Sequence, residues 1–414
     1  MENVIIIGAG QAGLGVSYYL KQSGVGHIVL ERSRIGESWR SQRWDSFSFN
    51  TPNAMTVMPG CNYTGAEADG FMSHQAFVDV LETFAEAHRL PVLAYSPVIS
   101  LSASFNSGLY EVGTHERMIE ARCVVIASGS QNCPKVPTLA SSLPGEATQM
   151  HAVAYRAASL LPTGAVLVVG SGSSGGQIAE DLIEAGRTVF LATSRVPSFP
   201  RRYRGRDIIT WFNETGRLAE RRETLTPSAA LAPQPLLSGV QGGHTLTLRS
   251  LRHRGAVLLG RLVSVDRGRL QFDASLADNL AFGDATLAGA KQNVDAYISS
   301  RGLSAPPAEP DTAEMYKTNL RGDDPGESTI DMISAGISTV IWCTGFRTDF
   351  GWIHLPIFDA AKQPKHFRGI TECRGVYITG LQWLSSRRSG LVAGVQNDAQ
   401  HIASDIVETL SCER

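Results

Sequence analysis

Val4-Ile5-Ile6-Ile7-Gly8-Ala9-Gly10-Gln11-Ala12-Gly13 decides the fold. Four consecutive β-branched residues read as a strand buried on both faces, and they run straight into a glycine-rich turn. In such a turn Gly8 permits a tight bend, Gly10 lets backbone approach a pyrophosphate, and Gly13 allows close packing of the helix that follows. Gln11 and Ala12 would open that helix, which is expected to run through about Lys21, with its N–H groups aimed at phosphates. His27-Ile28-Val29-Leu30 then reads as a second strand ending on Glu31. Glu31 lies 18 residues beyond Gly13, close to the ~20 at which a carboxylate accepts hydrogen bonds from a ribose diol. The first thirty residues are thus a βαβ unit for an adenine dinucleotide without a 2′-phosphate.

The same grammar returns at Ala165-Val166-Leu167-Val168-Val169, which precedes Gly170-Ser171-Gly172-Ser173-Ser174-Gly175, a helical stretch through Glu184 and a strand at Thr188–Ala192. At the position matching Glu31 stands Thr193, with Arg195 just beyond. A carboxylate there would repel a ribose 2′-phosphate, whereas a guanidinium attracts it, so the second loop is assigned to NADPH. A dinucleotide held by an acid and another held by an arginine imply FAD and NADPH on one chain, with a nicotinamide stacked against a flavin.

The remaining pattern agrees with an α/β protein of two dinucleotide-binding, Rossmann-like domains. Val124–Gly129, Thr339–Gly345 and Val376–Gly380 are further strands ending in small-residue turns, which suggests ligands at the carboxyl ends of parallel sheets. We expect an FAD domain over 1–150 and 335–414, with an NADPH domain over 151–334 inserted. Residues 225–245 and 303–327, rich in proline or glycine, read as loops. Between them Ser275 is expected to cap a helix whose Leu280, Leu287 and Val294 recur every seven residues, and a C-terminal helix carries Ile402, Ile406 and Leu410.

Composition narrows the function classes. The 414 residues are 43% hydrophobic and 18% charged, enough for two or three cored domains. With 37 Lys and Arg against 39 Asp and Glu, the net charge of −2 gives no field for nucleic acid or an anionic membrane. The Arg201, Arg202, Arg204, Arg206 cluster reads as a solvated loop, or else as help for cofactor phosphates. Six scattered cysteines form neither a zinc set nor a disulfide framework, and no apolar run approaches a signal peptide or a membrane span. A cytoplasmic protein is expected. Disulfide reductases need two thiols a few residues apart beside the flavin, and neither glycine-loop region has them.

Taken together, these motifs resemble the class B flavin-dependent monooxygenases, over 1–212 and 335–412. Glu31-Arg32 followed by Gly36-Glu37-Ser38-Trp39-Arg40 is similar to the family segment lining the flavin. Ile126-Ala127-Ser128-Gly129 with Pro134 and Pro137, and Trp342-Cys343-Thr344-Gly345-Phe346, are similar to its two A-T-G segments. The family fingerprint is altered: Leu143-Pro144-Gly145 stands six residues before His151, and Tyr155 follows. The resemblance implies that Asn50-Thr51 sits over the flavin, with the Asn50 amide bonding a C4a-(hydro)peroxyflavin and the retained NADP, although Asn before a proline turn also reads as a turn-former. It further implies that Val98 backbone meets the FAD adenine. Gly129, Gly345 and Gly380 would lie at cofactor-facing strand ends, and residues 394–398 would open a helix toward the flavin.

The implied activity is N- or S-oxidation or hydroxylation of a small organic substrate by molecular oxygen, with Baeyer–Villiger insertion as a further option. An NADPH oxidase or flavin reductase, and a non-catalytic redox sensor, remain alternatives. Trp211, Phe212 and Trp383 are pocket or core, His151 is structural, and the oligomeric state is open, a homodimer included.

Overall fold

The computed structural model describes residues 1–105, 107–131, 133–226, 233–311, 313, 316 and 328–412. The parts of the two expected loops at 227–232, 312, 314–315 and 317–327 lie outside the described residues.

The opening run forms the strand Glu2–Ile7, central in a parallel sheet with His27–Leu30 on one side and Met118–Ile126 on the other. Val92–Leu93 and Val376–Ile378 extend it, and the hairpin Val98–Ala103 with Tyr110–Thr114 adds antiparallel strands. Register aligns Ile7 with Leu30 and with Ile126, and Ile126 with Ile378, so four strand ends open at one edge. Val4, Ile5 and Ile6 are fully buried, as a strand covered on both faces requires. The helices Gln11–Gln22 and Val392–Ser411 cover this sheet together; Gly15 lets them touch, since a Cβ there would stand 2.6 Å from Val395.

The second sheet repeats the plan. Ala165–Val169 lies between Val189–Ala192 and Ile337–Trp342, with Val257–Leu259 and Thr148–His151 outside them, all parallel. The strand expected at Thr339–Gly345, and most of the strand Thr148–His151, fall in segments read as the first domain and belong to the second. Ile337–Trp342 pairs with Thr148–His151 on one side and with Ala165–Val169 on the other, so the boundaries read at 150 and 335 cut through one sheet. The physical reason is that a parallel strand buried on both faces looks alike in either sheet, and only pairing assigns it. The true crossings are the short antiparallel pair Cys133–Pro134 and Phe346–Arg347.

The helix Leu276–Arg301 buries Leu280, Leu287 and Val294 as its spacing predicts. Ser275 precedes it but makes no side-chain cap; its hydroxyl turns back to Asp273 Oδ1 at 2.5 Å. Trp211, Phe212 and Trp383 are buried, the first two inside a shared aromatic core with Phe199.

Candidate cofactor and active site

Both glycine loops are built alike, down to the steric reason for each glycine. Gly8 has φ +111°, and a Cβ there would stand 2.5 Å from the Ala127 carbonyl oxygen. Gly170 has φ +101°, and its Cβ would stand 2.6 Å from the Cys343 oxygen. A Cβ on Gly13 would fall 1.9 Å from Gly8 O, and one on Gly175 1.8 Å from Gly170 O. Gly10 and Gly172 alone meet nothing within 4 Å. Four glycines are thus needed by the protein, and two face open space. The helices Gln11–Gln22 and Ser173–Glu184 begin at Gly10 and Gly172 with no side-chain cap, leaving their first N–H groups available to an anion.

Around the first loop the structure gathers residues the sequence singled out. Glu31 is buried, and its carboxylate accepts from Ala9 N at 2.8 Å and from Ser33 N at 2.9 Å. It therefore shapes the loop as well as offering lone pairs to a diol. Val98 opens its strand close by, in a segment where Ser96 N donates to Glu31 O at 2.7 Å. The Ser128 hydroxyl between Ala127 and Gly129 is buried without a partner, a group that a bound ligand would satisfy. Gly380 has φ +75°, and a Cβ there would stand 3.2 Å from Ala12 Cβ.

Trp39 Nε1 donates to Gln11 Oε1 at 3.0 Å, and its ring stacks on Phe49 with centroids 4.7 Å apart. Arg40 is engaged with Glu82, while Arg32 and Ser38 are exposed at the rim. These features fit an FAD laid from Glu31 across Gly10 toward Trp39 and Asn50.

The second loop differs where the sequence said it would. Thr193 is buried and donates to Leu259 O at 2.6 Å. Arg195 is exposed, with its guanidinium 4.4 Å over the Phe282 ring and no acidic partner among the described residues, which fits a 2′-phosphate. The Ser173 hydroxyl donates to Pro235 O at 2.5 Å and holds a neighbouring loop, while Ser174 stays half-buried beside it. At the strand ends His151 Nε2 donates to the Gly345 carbonyl at 3.0 Å while Nδ1 accepts from Val153 N, a neutral tautomer; burial pulls its pKa down. This is a structural histidine, as expected. Burial likewise raises the Cys343 thiol to about 12, leaving it inert.

Asn50 lies where the two domains meet. Its Oδ1 accepts from Gln177 Nε2 at 2.8 Å, and its carbonyl accepts from Arg201 Nη1 at 3.1 Å. Thr51 is buried beside it. The solvated reading of the arginine cluster fails at Arg201, which is 1% exposed and grips Asp207 through Nε–Oδ2 at 2.8 Å and Nη2–Oδ1 at 2.5 Å. Its plane also covers Phe71 at 4.5 Å. Gly239 and Gly243 let the neighbouring loop close on this site: a Cβ on Gly239 would stand 2.0 Å from Phe49 O, and one on Gly243 2.4 Å from the Phe71 ring. The sequence offered no sign of Gln177 or Asp207 as site residues, because their partners are far along the chain or hidden in what looked like a surface run.

A family model described as pyridine nucleotide-disulphide oxidoreductase matches residues 5–213, half of the chain, and a CzcO-like oxidoreductase of Geobacillus kaustophilus, itself called uncharacterized, is 30% identical over 98% of both chains. This chain belongs to the pyridine nucleotide-disulphide oxidoreductase family. The flavin-containing monooxygenase of Stenotrophomonas maltophilia has the same fold, with a TM-score of 0.65 at 18% identity over 99% of both chains. So does OTEMO, solved in complex with FAD and NADP, with a TM-score of 0.54 at 15% identity over 100% of this chain and 86% of that one. In sequence, the probable indole-3-pyruvate monooxygenase YUCCA4 of Arabidopsis thaliana is 27% identical over 43% of this chain and 43% of its own length, in line with the resemblance to class B flavin monooxygenases drawn from the motifs. This sequence has no cysteine before Cys61 and none between Cys133 and Cys343. Among the described residues no helix is long and apolar enough to cross a membrane, and no group of His, Cys, Asp or Glu is arranged to hold a metal.

Proposed function

We propose that this oxidoreductase is an NADPH-dependent monooxygenase that adds one oxygen atom to a small organic substrate, by N- or S-oxidation or hydroxylation. The observation that carries the reading is the Asn50 amide. Its Oδ1 is held by Gln177 of the second domain, Arg201 of the same domain holds the Asn50 main-chain carbonyl, and Nδ2 makes no hydrogen bond to any described residue. FAD, once reduced by NADPH, supplies the oxygen activation. The chain's own task is to hold the two dinucleotides on Gly8–Gly13 with Glu31 and on Gly170–Gly175 with Arg195, to present a donor, and to keep water out.

A preorganised donor is what a reactive oxygen species needs to persist, and loss of one such donor lowers rates by roughly 100- to 1000-fold in oxyanion sites. Asn50→Leu is expected to raise hydrogen peroxide released per NADPH consumed by about tenfold or more while oxygenated product falls. An unchanged ratio would remove Asn50 from the mechanism. Wild-type protein that returns one peroxide per NADPH with amines, sulfides, ketones and heteroaromatics alike would make it an oxidase instead.

A further inference from the structure

We infer that Gln177 is a positioning residue that decides which end of the Asn50 side-chain amide faces the cofactors. The inference rests on the monooxygenase reading above. A terminal amide can turn end over end at little energetic expense, so an asparagine presents a donor reliably only when a neighbour distinguishes its two ends. The Asn50 main chain is already pinned, since Arg201 Nη1 holds its carbonyl and is itself locked by Asp207. What remains free is the side-chain amide.

Gln177 removes that freedom. It is 4% exposed, and its Nε2 donates both to the Leu237 carbonyl at 2.6 Å and to Asn50 Oδ1 at 2.8 Å. A main-chain carbonyl can only accept, so the end of Gln177 that meets Leu237 must be the NH2 end. That same NH2 meets Asn50, which forces Asn50 to turn its oxygen toward Gln177 and its Nδ2 away. Leu237 thus sets Gln177, and Gln177 sets Asn50. The Asn50 nitrogen is left without a partner among the described residues and is not among the buried unsatisfied atoms, so it is free to donate. Gln177 is also the fifth residue of the helix Ser173–Glu184, whose first turn would receive the nicotinamide dinucleotide. The element that binds the reductant is therefore the one that orients the donor.

Gln177→Glu tests this with almost no change of shape. The carboxylate accepts and cannot donate, so it repels the Leu237 carbonyl and draws Asn50 Nδ2 toward itself. We expect peroxide per NADPH to rise to the level of Asn50→Leu, and we expect no further rise when Gln177→Glu is added to Asn50→Leu. The visible difference spectrum of the bound oxidised FAD, which needs no turnover, is expected to shift in Gln177→Glu as it does in Asn50→Leu. If Gln177→Glu does not retain FAD, Gln177→Met, which keeps the volume and removes the donor, is read in the same assays.

A wild-type ratio and a wild-type spectrum in these variants would overturn the proposal. So would a double variant that leaks more peroxide than Asn50→Leu by the same factor that Gln177→Glu shows alone, because Gln177 would then act by another route. If the wild type itself oxygenates nothing, the monooxygenase reading falls, and the flavin spectra still decide whether Gln177 governs Asn50.

Discussion

Gly10 and Gly172 are the two loop glycines whose side-chain space is empty, which makes them the positions where ligand binding separates from folding. Gly10→Ala is expected to fold with a melting temperature near wild type and to emerge from purification with FAD affinity reduced at least about tenfold, since the added methyl occupies the phosphate approach. Gly172→Ala should stay yellow and lose NADPH affinity instead; absorbance at purification and fluorescence titration distinguish the two. Gly13→Ala, whose methyl would sit 1.9 Å from Gly8 O, is expected to yield little folded protein. At Arg195 the charge itself is at stake. Arg195→Ala should raise Kd for NADPH by roughly 10- to 100-fold, the worth of charge-assisted hydrogen bonds, and leave NADH binding alone. The glycine loops and Glu31 were legible because backbone geometry dictates their spacing within thirty residues. Gln177 was not, since its meaning lies in an amide 127 positions away.

At the scale of elements, the run that looked like surface charge is a two-strand turn, Arg202–Tyr203 against Arg206–Asp207, wrapped round one buried ion pair. Asp207 does two things, since its Oδ1 also accepts from Ile209 N at 2.8 Å and caps the helix Ile208–Glu214. Asp207→Ala strands a buried guanidinium, a change that typically destabilises by about 3–5 kcal/mol, with roughly 1 kcal/mol more for the lost cap. Urea unfolding of Asp207→Ala against the Arg201→Met, Asp207→Leu pair checks this, because the pair leaves no orphaned charge and is expected to be the more stable. Arginines four or five to a loop usually mean solvent. Here the chain folds one of them inward, and only the distant Asn50 carbonyl and the Phe71 ring explain why.

At the scale of the molecule, the sheets came from sequence and their membership did not, because apolar parallel strands carry no label for their neighbours. What joins the two halves is specific. Trp44 of the first packs into the second core, and Asp181 on the second glycine-loop helix accepts from Ser46 Oγ at 2.6 Å and from the Tyr155 hydroxyl. The fingerprint spacing from His151 to Tyr155 is thus read in hydrogen bonds: one end ties down a strand terminus, and the other holds the Asp181 carboxylate that receives Ser46 of the first half. Asp181→Ala is expected to lower unfolding stability by about 1–3 kcal/mol in calorimetry and to leave FAD content unchanged, the first glycine loop being untouched.

The paired crossings at Cys133–Pro134 and Phe346–Arg347 have a consequence for ancestry as well as shape. A lobe that departs from and rejoins its host at adjoining points can be gained whole, as a cassette slipped into one surface turn, with no strand of the host rearranged. Two lobes sharing a glycine code, nested like a parenthesis inside a sentence, are what duplication followed by such an insertion leaves behind.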